Sequence, residues 1–124
     1  MKLRFRAWLT KRQEMDNEID HISWLEDELY CIGDGITYMV SAEDLVLMQS
    51  TGLKDKKGKE IFEGDIVKMA KDVYSEPTYY EVVRHYGGAY RLESKQHGCE
   101  LWLRHTDCEV VGNIYENREF LEDK

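Results

Sequence analysis

Thr51-Gly52-Leu53-Lys54-Asp55-Lys56-Lys57-Gly58-Lys59-Glu60-Ile61-Phe62-Glu63-Gly64-Asp65-Ile66-Val67 is the stretch on which the fold turns. Asp55-Lys56-Lys57-Gly58 has the composition of a tight turn, with Gly58 free to take a positive φ. Glu63-Gly64-Asp65 reads as a second turn. It delivers the chain into Ile66-Val67-Lys68-Met69, where two β-branched residues suit a pleated surface. A Gly-Asp-Ile-Val lead-in of this kind fits the short strands of a small SH3-like or related barrel. It says nothing about activity.

Working outward toward the C-terminus, Lys71 to Thr78 is a polar loop containing Pro77, and Tyr79 to Tyr86 is strand-like. Gly87-Gly88 is a two-residue hairpin signal, with Ala89-Tyr90-Arg91-Leu92 as the returning strand. Residues 93–99 form a polar loop, Leu101-Trp102-Leu103 pairs again, and Glu109 to Ile114 is the last strand. Asn117 is placed to cap a short helix from Arg118 to Leu121. Strands spaced at about ten residues from 61 to 115 predict a small barrel or a strongly bent antiparallel sheet.

Toward the N-terminus, residues 2–8 alternate. Leu3, Phe5 and Ala7 point one way and Lys2, Arg4, Arg6 and Trp8 the other, a half-buried strand. Ile22, Leu25 and Leu29 recur at helical spacing and predict a short helix or irregular arm within 16–40. Gly33-Asp34-Gly35 marks a turn before the strand-like Ile36-Thr37-Tyr38-Met39-Val40. Ser41 and Asp44 either cap a short helix through Met48 or make a turn before a strand from Leu45 to Gln49.

The chain has 124 residues, 42% of them hydrophobic, which suits one ordered domain. Its parts are N-terminal strands and an arm in 1–50, the signature turn and barrel-like core in 51–117, and a tail in 118–124. No apolar run approaches the ~20 residues of a membrane span, and no apolar stretch follows Lys2, Arg4 and Arg6. The cytoplasm is the expected location. Three cysteines, Cys31, Cys99 and Cys108, read as reduced thiols. The net charge of −8 argues against nucleic-acid binding. The charge is uneven: residues 1–12 carry +5 and residues 54–59 carry +3. Arg4, Arg6, Lys54, Lys56, Lys57 and Lys59 are thus candidate interface residues. If they meet acidic residues of a neighbouring subunit, salt should weaken assembly.

Four constellations carry chemistry in principle. His97, Cys99, His105 and Cys108 offer two imidazoles and two thiols for a tetrahedral zinc, but His-x-Cys and the short loop between the pairs depart from common zinc spacings. The expectation is no bound metal and no cofactor. Glu93-x-Lys95 with Asp65 upstream resembles a fragment of a metal-dependent nuclease, a three-residue match that arises by chance in a chain this charged. The glycines at 52, 58 and 64 lack the spacing of a phosphate-binding loop and read as turn residues. Tyr74, Tyr79, Tyr80, Tyr86, Tyr90, Trp102 and Tyr115, interleaved with Lys71, Arg84, Arg91 and Arg104, form a core, a protein interface or a base-stacking surface.

The central stretch, with Phe5-Arg6-Ala7-Trp8 near the start and Val111-Gly112-Asn113-Ile114-Tyr115-Glu116-Asn117 near the end, resembles the YopX family of phage and prophage proteins. Residues 4–8, 48–68 and 110–117 carry the likeness. It implies a mainly β protein of a phage or prophage genome that forms a homo-oligomer, and it favours the strand reading of 45–49. It transfers no catalytic residue, so Gly52, Gly58, Gly64, Asp65 and Gly112 are assigned structural roles. The expected function is a non-enzymatic, self-assembling interaction protein acting on a phage or host partner. A single-stranded nucleic-acid accessory protein and a metal-dependent nuclease are the alternatives.

Overall fold

A computed structural model describes residues 4–26, 28–70, 74–85, 88–95 and 97–122. The chain is mainly β, with a curled half-barrel sheet and one short helix. It divides into two compact units, Met1–Ser50 and Thr51–Lys124.

In the first unit, β1 (Phe5–Leu9) pairs antiparallel with β2 (Glu14–Ile19) on one side and with the start of β6 (Leu45–Lys54) on the other. Ser41 leads through a 3₁₀ turn at Ala42–Asp44 directly into β6, so the strand reading of 45–49 holds. A second sheet has the order β3 (His21–Leu25), β4 (Leu29–Asp34), β5 (Ile36–Ser41). Ala7, Leu9, Ile19, Ile32 and Leu45 form the buried core, with Ile22, Tyr30, Tyr38 and Val40 packed against it.

The helix or arm expected within 16–40 is instead an antiparallel meander. The helical spacing was a coincidence of the hairpin: Leu25 and Leu29 are cross-strand partners on either side of a chain reversal. Two apolar residues four apart meet across such a reversal just as they would on one helix face. Trp24 opposite Tyr30 and Ile22 opposite Ile32 continue the same antiparallel ladder. A second correction concerns β1. The period-two reading puts Arg6 and Trp8 on the solvated face, yet they are 6% and 5% exposed, so both faces of the strand are covered. Lys2 and Leu3 lie outside the described residues.

In the second unit, a five-stranded antiparallel sheet has the order β11 (Gly98–Glu100), β10 (Tyr90–Glu93), β9 (Thr78–Arg84), β8 (Asp65–Met69), β12 (Glu109–Asn113). The end of β6 and the short β7 (Glu60–Phe62) precede it. Ile61, Val67, Met69, Tyr80, Val82, Leu92, Leu101 and Cys108 make its core. The residues expected to pair as Leu101-Trp102-Leu103 form the helix α1 (Leu101–Arg104) instead. Glu100 already lies opposite Arg91, near the start of β10, so a longer β11 would soon outrun its partner. Helical bonds then satisfy the backbone, with the His105 N–H donating to the Leu101 carbonyl.

The signature explains the assembly of this unit. The buried Asp55 carboxylate accepts the Lys57 and Lys59 N–H groups through Oδ1, at 2.9 and 2.8 Å, which closes the turn. Through Oδ2 it accepts the Val110 N–H at 2.9 Å, which ties that turn to β12. Gly58 and Gly64 adopt φ of +82° and +86°, where a side chain would be strained. In the second turn, Asp65 Oδ2 accepts the Phe62 N–H at 2.8 Å, the Gly64 N–H donates to Val82, and the Gly64 carbonyl accepts the Ile114 N–H. One short turn thus contacts β7, β9 and the end of β12.

Gly112 is required for a different reason. A Cβ there would lie 2.3 Å from Asn117 Oδ1, which accepts the Asn113 N–H. Asn117 was expected to cap the last helical turn, Arg118–Leu121. Its side chain instead folds back to Asn113 and makes no cap bond.

Two outcomes follow. Asp55→Ala should cost about 2–3 kcal/mol in chemical denaturation, because it strands N–H groups that a charged acceptor held. Burial by itself would raise the Asp55 pKa, but the Val110, Lys59 and Lys57 N–H groups together lower it. A lowered folded pKa stabilises above the unfolded value and is lost as pH falls through the folded one. The gap between wild type and variant should therefore shrink below about pH 4. Gly112→Ala should destabilise by about 2 kcal/mol alone and by clearly less in an Asn117→Ala background, a coupling read from the double-mutant cycle.

Candidate functional site

Strand register decides which side chains meet on the outer face of the five-stranded sheet. A two-residue turn at Gly87-Gly88 would set an odd register. The observed partners are Arg84 with Tyr90, Arg91 with Val83 and Glu93 with Glu81, so the connection spans 85–89. The His85 N–H donates to the Ala89 carbonyl at its base, while Tyr86 and Gly87 lie outside the described residues. The change brings two carboxylates, Glu81 and Glu93, directly opposite each other.

This pair lies in a cleft of about 750 Å³ bounded by the start of β9, the chain just after β10 and the Arg118–Leu121 turn. Tyr79 and Phe120 make one wall, their rings stacked at 5.0 Å and 20°. Glu76 and Glu122 add negative charge, and Lys95 and Arg118 positive charge. Arg91 Nε holds Glu93 at 3.1 Å and its Nη1 holds Glu100 at 2.5 Å. Burial pushes the Glu81 carboxyl above its ordinary pKa; Arg118 opposes this and Glu93 adds to it. Like charges directly opposite in a sheet repel, so Glu81 is the strained member of the pair.

A second surface lies in the first unit. The edge strand β5, Ile36-Thr37-Tyr38-Met39-Val40-Ser41, pairs with β4 on one side, and among the described residues no strand pairs with the other. Ile36 and Met39 on it are 88% and 66% exposed. Trp24, set edge-on to Tyr30 at 4.7 Å, is also exposed. On the inward side Tyr38 donates to Asp16 Oδ2 at 2.6 Å; burial and that carboxylate together push the phenol pKa up.

The residues singled out in the sequence are scattered. Cys108 is fully buried and its Sγ donates to the Arg104 carbonyl at 3.3 Å; burial pushes its pKa up to about 12. Cys99 is half-buried against the same core, and its pKa is also raised by burial. The His105 ring bonds the Lys54 carbonyl at 2.7 Å, which requires the proton on Nδ1. His97 is exposed on a turn closed by Ser94. Among the described residues no group of three or more such side chains is placed to hold a metal. Glu93 and Lys95 reach the cleft, but Asp65 does not: it is buried in its own turn.

Of the candidate interface cations, Arg6 is buried and Arg4 exposed. Lys56 and Lys57 lie 3.9 and 3.1 Å from Glu109, joined by Lys68 at 3.7 Å. The Lys57 ammonium holds the Glu109 carboxyl below its usual range. Lys54 and Lys59 are exposed. Among the described residues, the interleaved aromatic and basic residues do not form one stacking face. Tyr80 is core, Tyr79 lies on Phe120, Arg91 is tied to two glutamates, and Arg104 to Asp107 at 3.0 Å. Lys71 lies outside the described residues. The residue that sequence reading missed is Glu81. Its only signal was a carboxylate equidistant with Glu93 from position 87, and a one-residue error in the turn hides it.

Among the described residues no helix is long and apolar enough to cross a membrane. A family model described as YopX protein matches residues 4–122. Among solved structures, the chain is similar to protein EF1440 from Enterococcus faecalis, at 31% identity and a TM-score of 0.62 over 97% of this chain and 98% of that one. It is also similar to protein yopX from Bacillus subtilis, at 21% identity and a TM-score of 0.69 over 98% of this chain and 100% of that one; at this identity the likeness shows the fold alone. No curated protein matches the chain.

Because its folded-state pKa is raised, Glu81 destabilises progressively as pH rises through that value, and the penalty is absent below the unfolded pKa. Glu81→Gln should therefore stabilise the protein at neutral pH by about 0.5 kcal/mol, a rise of roughly 2 °C in Tm. The advantage should vanish below about pH 4, measured by thermal denaturation across pH.

Proposed function

This chain belongs to the YopX protein family, and from that premise we propose that it is a non-enzymatic, self-assembling interaction protein, encoded by a phage or prophage and acting in the cytoplasm of a bacterial host. The observation that carries the reading is the β5 edge. Soluble proteins blunt such edges with charge, proline or a cover. Ile36–Ser41 has neither a charged residue nor proline, in a chain that is 34% charged, and it exposes Ile36 and Met39.

A second copy is the occupant that fits. Antiparallel pairing of β5 with its own counterpart is isologous and closes on a two-fold axis. An uncharged strand can meet itself without like-charge contacts, although the whole chain carries −8. The charge-block route to assembly has less support, since Arg6 is buried and Lys56 and Lys57 are engaged by Glu109. The expected salt response accordingly reverses. Salt screens repulsion between two acidic copies and should strengthen, not weaken, assembly.

Light scattering coupled to size exclusion, at tens of micromolar and at low and high salt, tests this. The expected species is a dimer, at least as populated at high salt, that becomes monomeric in Met39→Lys. A strict monomer in both buffers would sink the assembly reading and leave binding of a phage or host protein as the function.

A further inference from the structure

We propose that the cleft between β9, β10 and the Arg118–Leu121 turn binds an arginine side chain presented by a protein partner. Three features of the cleft converge on a guanidinium. Its floor holds two carboxylates at directly opposed positions of neighbouring strands, Glu81 and Glu93. Such positions place their Cβ atoms about 5 Å apart, a spacing that a planar fork of N–H donors can bridge. Its wall is the Tyr79–Phe120 stack, and a guanidinium packs on an aromatic face where an ammonium stays hydrated. Its charge still leans negative, with Glu76, Glu81, Glu93 and Glu122 against Lys95, Arg118 and the Arg91 that holds Glu93 from beside the cleft.

The volume points to a side chain with its flanking backbone. About 750 Å³ is more than a lone guanidinium fills, and it lies within the range of sites that enclose a ligand. A positive group between the carboxylates also relieves the repulsion that the sheet register imposes. Arg91 already holds one oxygen of Glu93, and Arg118 is the protein's own partial substitute at Glu81. It stands on an exposed turn and acts on Glu81 electrostatically, so an incoming arginine competes with it. Arg118 thus sets the affinity of the cleft, and removing it should tighten binding.

The test is a titration of the isotope-labelled full chain by two-dimensional NMR with a capped Gly-Arg-Gly peptide. The Lys analogue and spermidine run in parallel. The arginine peptide should give saturable shifts confined to residues 76–81, 93–95 and 118–122. Its affinity should drop about tenfold in Glu81→Gln and rise severalfold in Arg118→Ala. The Lys peptide and spermidine should bind at least about fivefold more weakly. Glu81→Gln is expected to be more stable than wild type, so a lost signal there is not a folding defect. No localised shift up to about 10 mM peptide would overturn the proposal. So would equal binding by Glu81→Gln, or spermidine binding as tightly as the arginine peptide.

Discussion

The second unit depends on one carboxylate. Asp55 sits in a turn between two short strands, and a turn of that size would hold itself together by local bonds alone. Its side chain does more. One oxygen closes the turn on Lys57 and Lys59, and the other accepts Val110 from 55 residues away. The Lys56 N–H adds a bond to the Cys108 carbonyl beside it. The last strand is therefore fixed to the turn by charge-assisted bonds, which are about twice as strong as neutral ones. Burying an ionised carboxylate is costly, and three N–H donors offset that cost.

The second signature turn works by the same means with less charge. Backbone groups of Gly64 reach β9 on one side and the end of β12 on the other, and Asp65 holds the turn to Phe62. This fixes the residues that follow: Val111-Gly112-Asn113 must reach the turn, and the Asn113–Asn117 loop then folds over a glycine with no room for a side chain. Signature elements far apart in sequence are partners in space.

The acidic cleft arises as a consequence of register. The connection at 85–89 places Glu81 against Glu93, and the C-terminal turn brings Phe120 onto Tyr79 and Arg118 beside the carboxylates. None of these contacts fills the core, which lies on the other face with Tyr80, Val82 and Leu92. Alternation in the middle of β9 divides the two tasks: Tyr80 and Val82 build the core, while Tyr79 and Glu81 face the cleft. The open β5 edge likewise contributes nothing to the core of its unit through Ile36 and Met39, which leaves both free to meet another chain.

Apart from the start of β6, which the residues left open and the family likeness decided, the sequence by itself determined the β class, the two signature turns, the strands over 36–40, 66–69 and 79–84, and the final strand. In each, period-two patterning or glycine chemistry is local and acts within a few residues. It did not determine the hairpin of β3 and β4, because a hairpin brings residues four apart together as a helix does. Nor did it determine the helix at Leu101–Arg104, which depends on where a neighbouring strand begins. The burial of Arg6 and Trp8, the internal pairing of the lysine turn with Glu109, and the meeting of Glu81 with Glu93 were decided by tertiary structure alone. Each is a contact between segments whose spacing no local pattern encodes, and a shift of one residue in a turn would exchange every partner involved.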